Sequence, residues 1–340
     1  MTRLKRLVIG GAAAALLATG AVSQAFAEEP GSFQNRLQGA TIGLPLGALP
    51  PPGLYTGLET AYLGEASGSG QGKDVGNWAA LTGGRVGLPA IANAVPMLFV
   101  PGWTFLGANY SMAAVAAFYT FETCNNATNC NTIVGGGFVV ANPTFTPINL
   151  SWNLGNGWFT SLGFNFMVPI GSNYSGTPNP DYWTLEPTFA VSYLANNWVL
   201  SANFFYDFNT SSKGPCCLLG AGSANTYNNG DMFYGDLTAI YKFGKWEIGP
   251  VAFFEVQTTS DSMGGPGAAA LCATFCGNYS NVAVGGLIGY DFGPVDIQVW
   301  VTDVVEAANT PAGTGSVWVW TRLGFKLWGP DAPRPLVAKN

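Results

Sequence analysis

Apolar and polar residues alternate with a period of two along most of this chain. In Leu162–Ile170 the apolar side chains are Leu162, Phe164, Phe166, Val168 and Ile170, while Ser161, Gly163 and Asn165 face the other way. Trp183–Tyr193 sets Trp183, Leu185, Phe189, Val191 and Tyr193 against Thr184, Glu186, Thr188 and Ser192. Phe233–Phe243 opposes Phe233, Leu237, Ala239, Tyr241 and Phe243 to Asp236, Thr238 and Lys242. In Val317–Trp328 the apolar set Val317, Val319, Leu323, Phe325 and Leu327 faces away from Arg322, Gly324 and Lys326. Such a period predicts half-buried β-strands. Runs of about ten residues also suit a tilted strand that crosses a bilayer.

Twelve segments are predicted: Leu54–Leu63, Val86–Val100, Thr104–Glu122, Phe138–Leu154, Trp158–Ile170, Tyr182–Leu194, Trp198–Phe208, Met232–Phe243, Trp246–Thr258, Val282–Tyr290, Val295–Asp303 and Val317–Trp328. The connections between them alternate in length. Short ones are Pro101-Gly102, Gly155-Asn156-Gly157, Ala195-Asn196-Asn197, Gly244-Lys245 and Phe292-Gly293-Pro294. Long ones are Gly64–Arg85, Thr123–Gly137, Gly171–Asp181, Asn209–Asn229, Thr259–Asn278 and Glu306–Gly315. Alternating tight turns and long loops describe an all-β transmembrane antiparallel barrel in the bacterial outer membrane, with the turns periplasmic and the loops extracellular. An even strand number places both chain ends on the periplasmic side. Pro89, Pro96 and Pro143 fall inside two predicted strands, where a missing N–H predicts bulges or distortion.

Composition narrows the choice further. Charged residues are 9% of the chain and aromatic residues 14%, against about 25% charged in an ordinary soluble domain. After residue 27 there is no apolar run long enough for a membrane-spanning helix. A closed barrel satisfies every backbone group while presenting only alternate side chains to lipid. A soluble β-sandwich would share the alternation with the apolar face turned inward, but here the polar face is thin and glycine-rich. Trp103, Trp158, Trp198 and Trp246 sit beside the short turns, as an interfacial girdle requires.

Residues 1–27 read as a secretory signal: Arg3, Lys5 and Arg6, the apolar run Leu7–Val22, then Ala25-Phe26-Ala27. Its removal leaves 10 Lys+Arg against 19 Asp+Glu, a net charge of -9. That balance argues against nucleic acid as a partner. Residues 28–52 precede the first strand and end in Leu49-Pro50-Pro51-Pro52-Gly53. They are apolar without alternation, and two readings stay open: a plug folded into the barrel mouth or lumen, or a flexible periplasmic leader. Residues 53–328 form the barrel, and 329–340 a proline-rich flexible tail.

The six cysteines, Cys124, Cys130, Cys216, Cys217, Cys272 and Cys276, all fall in long connections. An even count in an oxidising compartment predicts disulfides. Cys124 with Cys130 and Cys272 with Cys276 are the local pairs. The adjacent Cys216 and Cys217 bond either to each other or to other loops. A metal site is not expected, because the chain has no histidine. The same absence excludes Ser-His and Cys-His machinery, so neither an enzyme nor a cofactor is expected.

Several segments resemble the outer-membrane proteins of the phenol-degradation meta-pathway family. They are Gly39–Gly47 (GATIGLPLG) with Pro51–Tyr55 (PPGLY), Val95–Trp103 (VPMLFVPGW) with Leu106–Tyr110 (LGANY), Pro147–Trp152 (PINLSW) and Gly289–Gly293 (GYDFG). These are fragments of turns and strands spread over nearly all of residues 28–340, with no catalytic signature. The resemblance implies an outer-membrane channel for small hydrophobic, often aromatic, compounds, distantly similar to the long-chain fatty-acid transporter. It brings no binding residues with it, and the cysteine-bearing loops depart from the family pattern.

The polar faces nominate Asn165, Glu186, Asp207, Asp236, Lys242, Glu255, Arg322 and Lys326 as lumen-lining residues. Opposite charges filling a closed interior account for them equally well. Trp300 and Trp320 fall on nominally inward positions, which leaves the packing of the last two strands open. Twelve strands give a barrel wider than the filled eight-stranded kind and narrower than open porins. The leading expectation is a passive or gated channel for small hydrophobic or aromatic solutes. The alternative is a non-transporting structural or surface-interaction barrel. Either one implies outer-membrane lipid, lipopolysaccharide and the barrel-assembly machinery as partners. Oligomeric state, substrate and direction of transport are not legible in the sequence.

Overall fold

The computed structural model describes residues 35–63, 90–124, 133–171, 181–211, 226–308 and 317–330, apart from 267, 270, 271, 273–275 and 279. The predicted signal segment, the tail beyond 330 and most of the long connections lie outside these residues. The strands in chain order are β1 (Gly53–Leu63), β2 (Ala90–Val100), β3 (Thr104–Phe105), β4 (Ala108–Cys124), β5 (Ile133–Val140), β6 (Thr144–Gly155), β7 (Trp158–Met167) and β8 (Thr184–Ala195). They continue as β9 (Trp198–Asn209), β10 (Thr226–Asn228), β11 (Met232–Phe243), β12 (Trp246–Gln257), β13 (Ser262–Gly264), β14 (Ser280–Asp291), β15 (Val295–Ala308) and β16 (Trp318–Trp328).

Twelve of these close into one antiparallel ring. Each long strand pairs with its sequence neighbours, β2 bonds to both β1 and β4, and β1 bonds to β16. Closure leaves no sheet edge, which a wall in lipid requires. β10 and β13 form a separate two-stranded ribbon at the loop end.

Side-chain burial is inverted relative to a soluble sheet. Leu162, Phe189, Ile248 and Val301 are exposed, whereas Glu186, Asn203 and Glu255, one residue out of phase with them on their strands or on neighbouring ones, have no exposure at all. Only a wall facing lipid outside and a filled lumen inside makes both arrangements favourable. The sandwich reading is thereby excluded. Alternation thus has a single cause: odd residues of β8 and β11 and even residues of β7 and β12 meet lipid.

The short turns take their shape from their residues. Asn196 and Asn197 both have positive φ, 53° and 66°, the pattern of a two-residue turn whose twist matches the flanking strands. At the same level the tryptophans form cross-strand pairs with tyrosines. Trp158 lies 5.0 Å from Tyr193, Trp198 5.1 Å from Tyr241 and Trp246 4.7 Å from Tyr290, ring centre to ring centre. Each pair is also a register pair of adjacent strands. The result is an aromatic belt at one membrane interface.

Two local expectations are corrected. Thr104–Glu122 is not one strand: β3 doubles back through Leu106 and Gly107, at φ of 53° and 77°, before β4 begins. Phe138–Leu154 is divided by Ala141–Pro143 into β5 and β6, which occupy successive stretches of β4. Pro143 thus ends a ladder, as its missing N–H dictates. Pro96 causes no bulge and stays in register opposite Val115. The β1–β2 ladder is nonetheless interrupted beside it, between the pairs Thr56–Met97 and Glu59–Ala94, as its missing N–H leads one to expect. Pro89 lies outside the described residues.

A barrel wall of this kind is sensitive to outward charge. Leu162→Arg, at the centre of β7, is expected to lower unfolding stability in lipid vesicles by about 2–4 kcal/mol. A denaturant titration showing no loss would place Leu162 in water and contradict the lipid-facing assignment.

Candidate functional site

The lumen is occupied by the chain itself. Residues 35–49, described as turns without regular structure, run inside the barrel ahead of β1. Irregular backbone at membrane depth must find its hydrogen-bond partners within the protein, and the inward polar side chains supply them. Asp236 accepts the backbone N–H of Gly39 at 3.1 Å, that of Thr41 at 2.9 Å and the Thr41 hydroxyl at 2.6 Å. Thr238 accepts the Gly43 N–H at 2.9 Å, and Asn203 donates to the carbonyls of Thr41 and Leu44 at 3.2 and 3.0 Å.

Arg322 grips the same turn from β16, four strands around the ring from β11. Its guanidinium donates to the carbonyls of Ile42, at 2.6 Å, and Ala40, to Gln298 at 2.9 Å, and to Glu59 at 2.6 Å. Gly43 has φ of 82°, and a Cβ there would lie 2.6 Å from the Gln298 amide oxygen. The site therefore needs glycine both for its backbone conformation and for close approach to the wall.

Further contacts fix the two ends of the segment. On the loop side Arg36 forms an ion pair with Glu186 at 3.0 Å, Gln38 bonds Glu255, and Asn35 donates to Thr184 at 2.8 Å. On the turn side Ser192 accepts the Gly47 N–H at 3.0 Å, Ser151 donates to the Gly47 carbonyl at 2.7 Å, and Ser161 donates to the Leu46 carbonyl at 2.8 Å. A cavity of about 10 Å³, lined by Asn35, Asp207, Tyr234 and Asp261 among others, lies beyond Arg36. It is large enough for a single water.

Of the residues nominated from the sequence, Asn165, Glu186, Asp207, Asp236, Glu255 and Arg322 are all buried inside the barrel. Lys242 and Lys326 keep the inward parity but lie exposed at the turn end. There Lys242 approaches Glu247 at 3.4 Å, and the Lys326 ammonium lies 5.8 Å from the Tyr55 ring centre. Cys272 and Cys276 are bonded to each other; Cys130, Cys216, Cys217 and the side chain of Cys124 lie outside the described residues. Sequence reasoning missed Glu59, Asn203 and Gln298. All three sit on the polar phase of their strands, so the alternation carried the signal. It carried none for Arg36 or Thr41, whose segment has no period.

The lumen has a second, apolar sector. Trp300, Trp318, Trp320, Phe253, Ala61, Ala92 and Tyr119 form one buried cluster with Ile42 of the inner segment. The Trp300 and Trp320 rings stack at 5.3 Å and 9°, and the Arg322 guanidinium lies 4.7 Å from the Trp300 ring centre. These tryptophans do face inward in regular register.

An apolar outer wall, an aromatic belt and a polar interior closed over twelve strands define an outer-membrane β-barrel. Within that class the chain belongs to the family described as "Putative MetA-pathway of phenol degradation", whose profile matches residues 67–320. Among solved structures, the COG4313 outer membrane channel from Pseudomonas putida F1 is similar at a TM-score of 0.64 and 12% identity, over 82% of this chain and 96% of that one. The toluene transporter TbuX from Ralstonia pickettii (TM-score 0.37, 10% identity, 85% and 92% covered) and outer membrane phospholipase A from Escherichia coli (0.34, 10%, 86% and 99%) are more remote. At such distances the likeness is one of fold alone. No curated protein matches the sequence.

The Arg322 clamp sets a stability prediction. Arg322→Met leaves the buried Glu59 carboxylate and two carbonyls without their donor, and is expected to cost about 3–5 kcal/mol in vesicle-based unfolding. Adding Glu59→Gln should recover part of that loss, since neighbouring sites are not additive. A cost of about 1 kcal/mol or less, typical of an exposed pair, would contradict a buried clamp.

Proposed function

We propose that this protein is an outer-membrane channel for small hydrophobic or aromatic solutes, closed at rest by its own residues 35–49. The observation that carries this reading is the division of the lumen. One sector, from Asn165 to Glu255, is polar and devoted to holding the inner segment. The other, lined by Trp300, Trp318, Trp320 and small residues such as Ala61 and Ala92, is largely apolar and offers the segment mainly packing, with Arg322 and Gln298 at its border bonding the carbonyls of Ala40, Ile42 and Gly43. A segment held by discrete polar contacts to the wall can leave as a unit, and its departure opens an apolar track. Membership of the phenol-degradation family and the common fold with an outer membrane channel support a transport role.

The apolar sector suits uncharged solutes, for which lipopolysaccharide is a poor solvent. The lumenal carboxylates Glu59, Glu186, Asp207, Asp236 and Glu255 face only Arg36 and Arg322 as buried cations among the described residues. That surplus disfavours anions and gives no reason for a charged cargo.

A direct test compares solute entry into liposomes, and planar-bilayer conductance, for the mature protein and a version lacking residues 28–47. The full-length barrel is expected to pass little current, and the deletion to raise current and the uptake of aromatic solutes together. A folded deletion that stays silent to ions and impermeable to solutes would overturn the channel reading and favour a structural or surface-interaction role.

A further inference from the structure

Three inward-facing tryptophans carry an unresolved chemical feature. Trp300, Trp318 and Trp320 are at most 3% exposed, and the indole N–H of each has no hydrogen-bond partner among the described residues. The Thr302 hydroxyl, paired across the ladder with Trp318, is unpartnered as well. Buried indole N–H groups ordinarily find an acceptor. Phenylalanine would fill much of this space without stranding a donor, so packing alone does not account for three tryptophans here.

The four groups form one patch. Trp300 faces Trp320, and Thr302 faces Trp318, on consecutive inward positions of β15 and β16. Phe253, on β12, packs on Trp318 at 5.7 Å. What covers the patch is the inner segment: Ile42 belongs to the cluster, with Leu37 and Ala40 packed against it. These apolar side chains offer the indoles no acceptor. Arg322 joins the two parts, since it lies against the Trp300 ring and donates to the Ile42 carbonyl.

We propose that Trp300, Trp318, Trp320 and Thr302 form a subsite for a flat aromatic solute that bears an oxygen acceptor, such as a phenolic hydroxyl or an aryl ketone. The inference rests on the channel reading and sharpens it. The ring of the solute replaces Ile42 against the tryptophan stack, and its oxygen accepts an indole N–H. A hydrocarbon of the same shape gains the stacking and leaves the donors unpaired. The subsite thus selects oxygenated aromatics over the hydrocarbons that simple partitioning favours.

Acetophenone and α-methylstyrene are close to isosteric and differ in the acceptor, so they separate the two cases. Protein labelled with 15N at its indoles, in lipid nanodiscs, is titrated with each, and the three signals are assigned by Trp→Phe variants. An Ile42→Ala variant of the full chain is titrated alongside, because it uncovers the patch. Acetophenone is expected to shift the signals of these three indoles and to bind about fivefold tighter than the hydrocarbon, the ratio of a single net hydrogen bond. At least one of Trp300→Phe, Trp318→Phe and Trp320→Phe should abolish that preference. Equal or tighter binding of α-methylstyrene, or shifts confined to Trp103, Trp158, Trp198 and Trp246, in both backgrounds would overturn the proposal. Preference retained in a protein that passes no solute would remove the channel reading and leave the subsite standing.

Discussion

Unpaired backbone groups are what the interior of this protein is organised to avoid. The turn at residues 39–43 sits at membrane depth without helix or ladder, and Asp236 and Arg322 take up its N–H and carbonyl groups from separate strands of the wall. Without the turn, Asp236 would lose its three donors from Gly39 and Thr41 and Arg322 two of its four acceptors, and burial of unsatisfied charge is costly. Without them, the turn could not remain in the lumen. The two requirements are met together or not at all, which makes the inner segment a cooperative unit held largely by polar bonds.

The same constraint explains the inverted burial of the wall. Lipid accepts Leu162, Phe189 and Ile248 at no cost, so nothing needs to cover them. Inside, there is no solvent-filled bore to hydrate Glu186 or Glu255, so each has a partner from the inner segment, Arg36 for one and Gln38 for the other. On the β14–β16 side and around β1 and β2, apart from the buried polar residues Glu59, Asn281, Gln298, Thr302 and Arg322, the interior changes to alanine, valine and tryptophan. The lumen is therefore two surfaces, one polar and one apolar, meeting at Arg322.

Much of this was legible in the sequence. A period of two fixes which face each residue of a strand occupies, so Asn165, Glu186, Asp207, Asp236, Glu255 and Arg322 could be placed inside from their phase alone. The tight turns were readable from Asn196-Asn197 and from Gly244, residues that tolerate positive φ. Leu106-Gly107 offers the same kind of glycine signal, inside the segment Thr104–Glu122 that the pattern predicts as one strand. The partners of the inward residues were not legible. Thr41 and Asp236 are 195 residues apart, and Ala40 and Arg322 are 282 apart. Only closure of the ring brings them together, and a segment without periodicity gives no phase from which to argue. The inward position of Trp300 and Trp320 was visible, but its meaning required the stacked geometry and the unpartnered indoles.

The central claim is that the Asp236 side of the clamp keeps the lumen shut. The most direct measurement is planar-bilayer conductance of a Thr41→Cys, Asp236→Cys double variant before and after reductant is added, since the hydroxyl and carboxylate they replace lie 2.6 Å apart. Oxidised, the variant is predicted to be silent, with the segment tied to β11. Reduced, it lacks both the disulfide and the carboxylate, and current should appear. Identical traces under both conditions, from a barrel verified to be folded and to form the bond, would contradict the account.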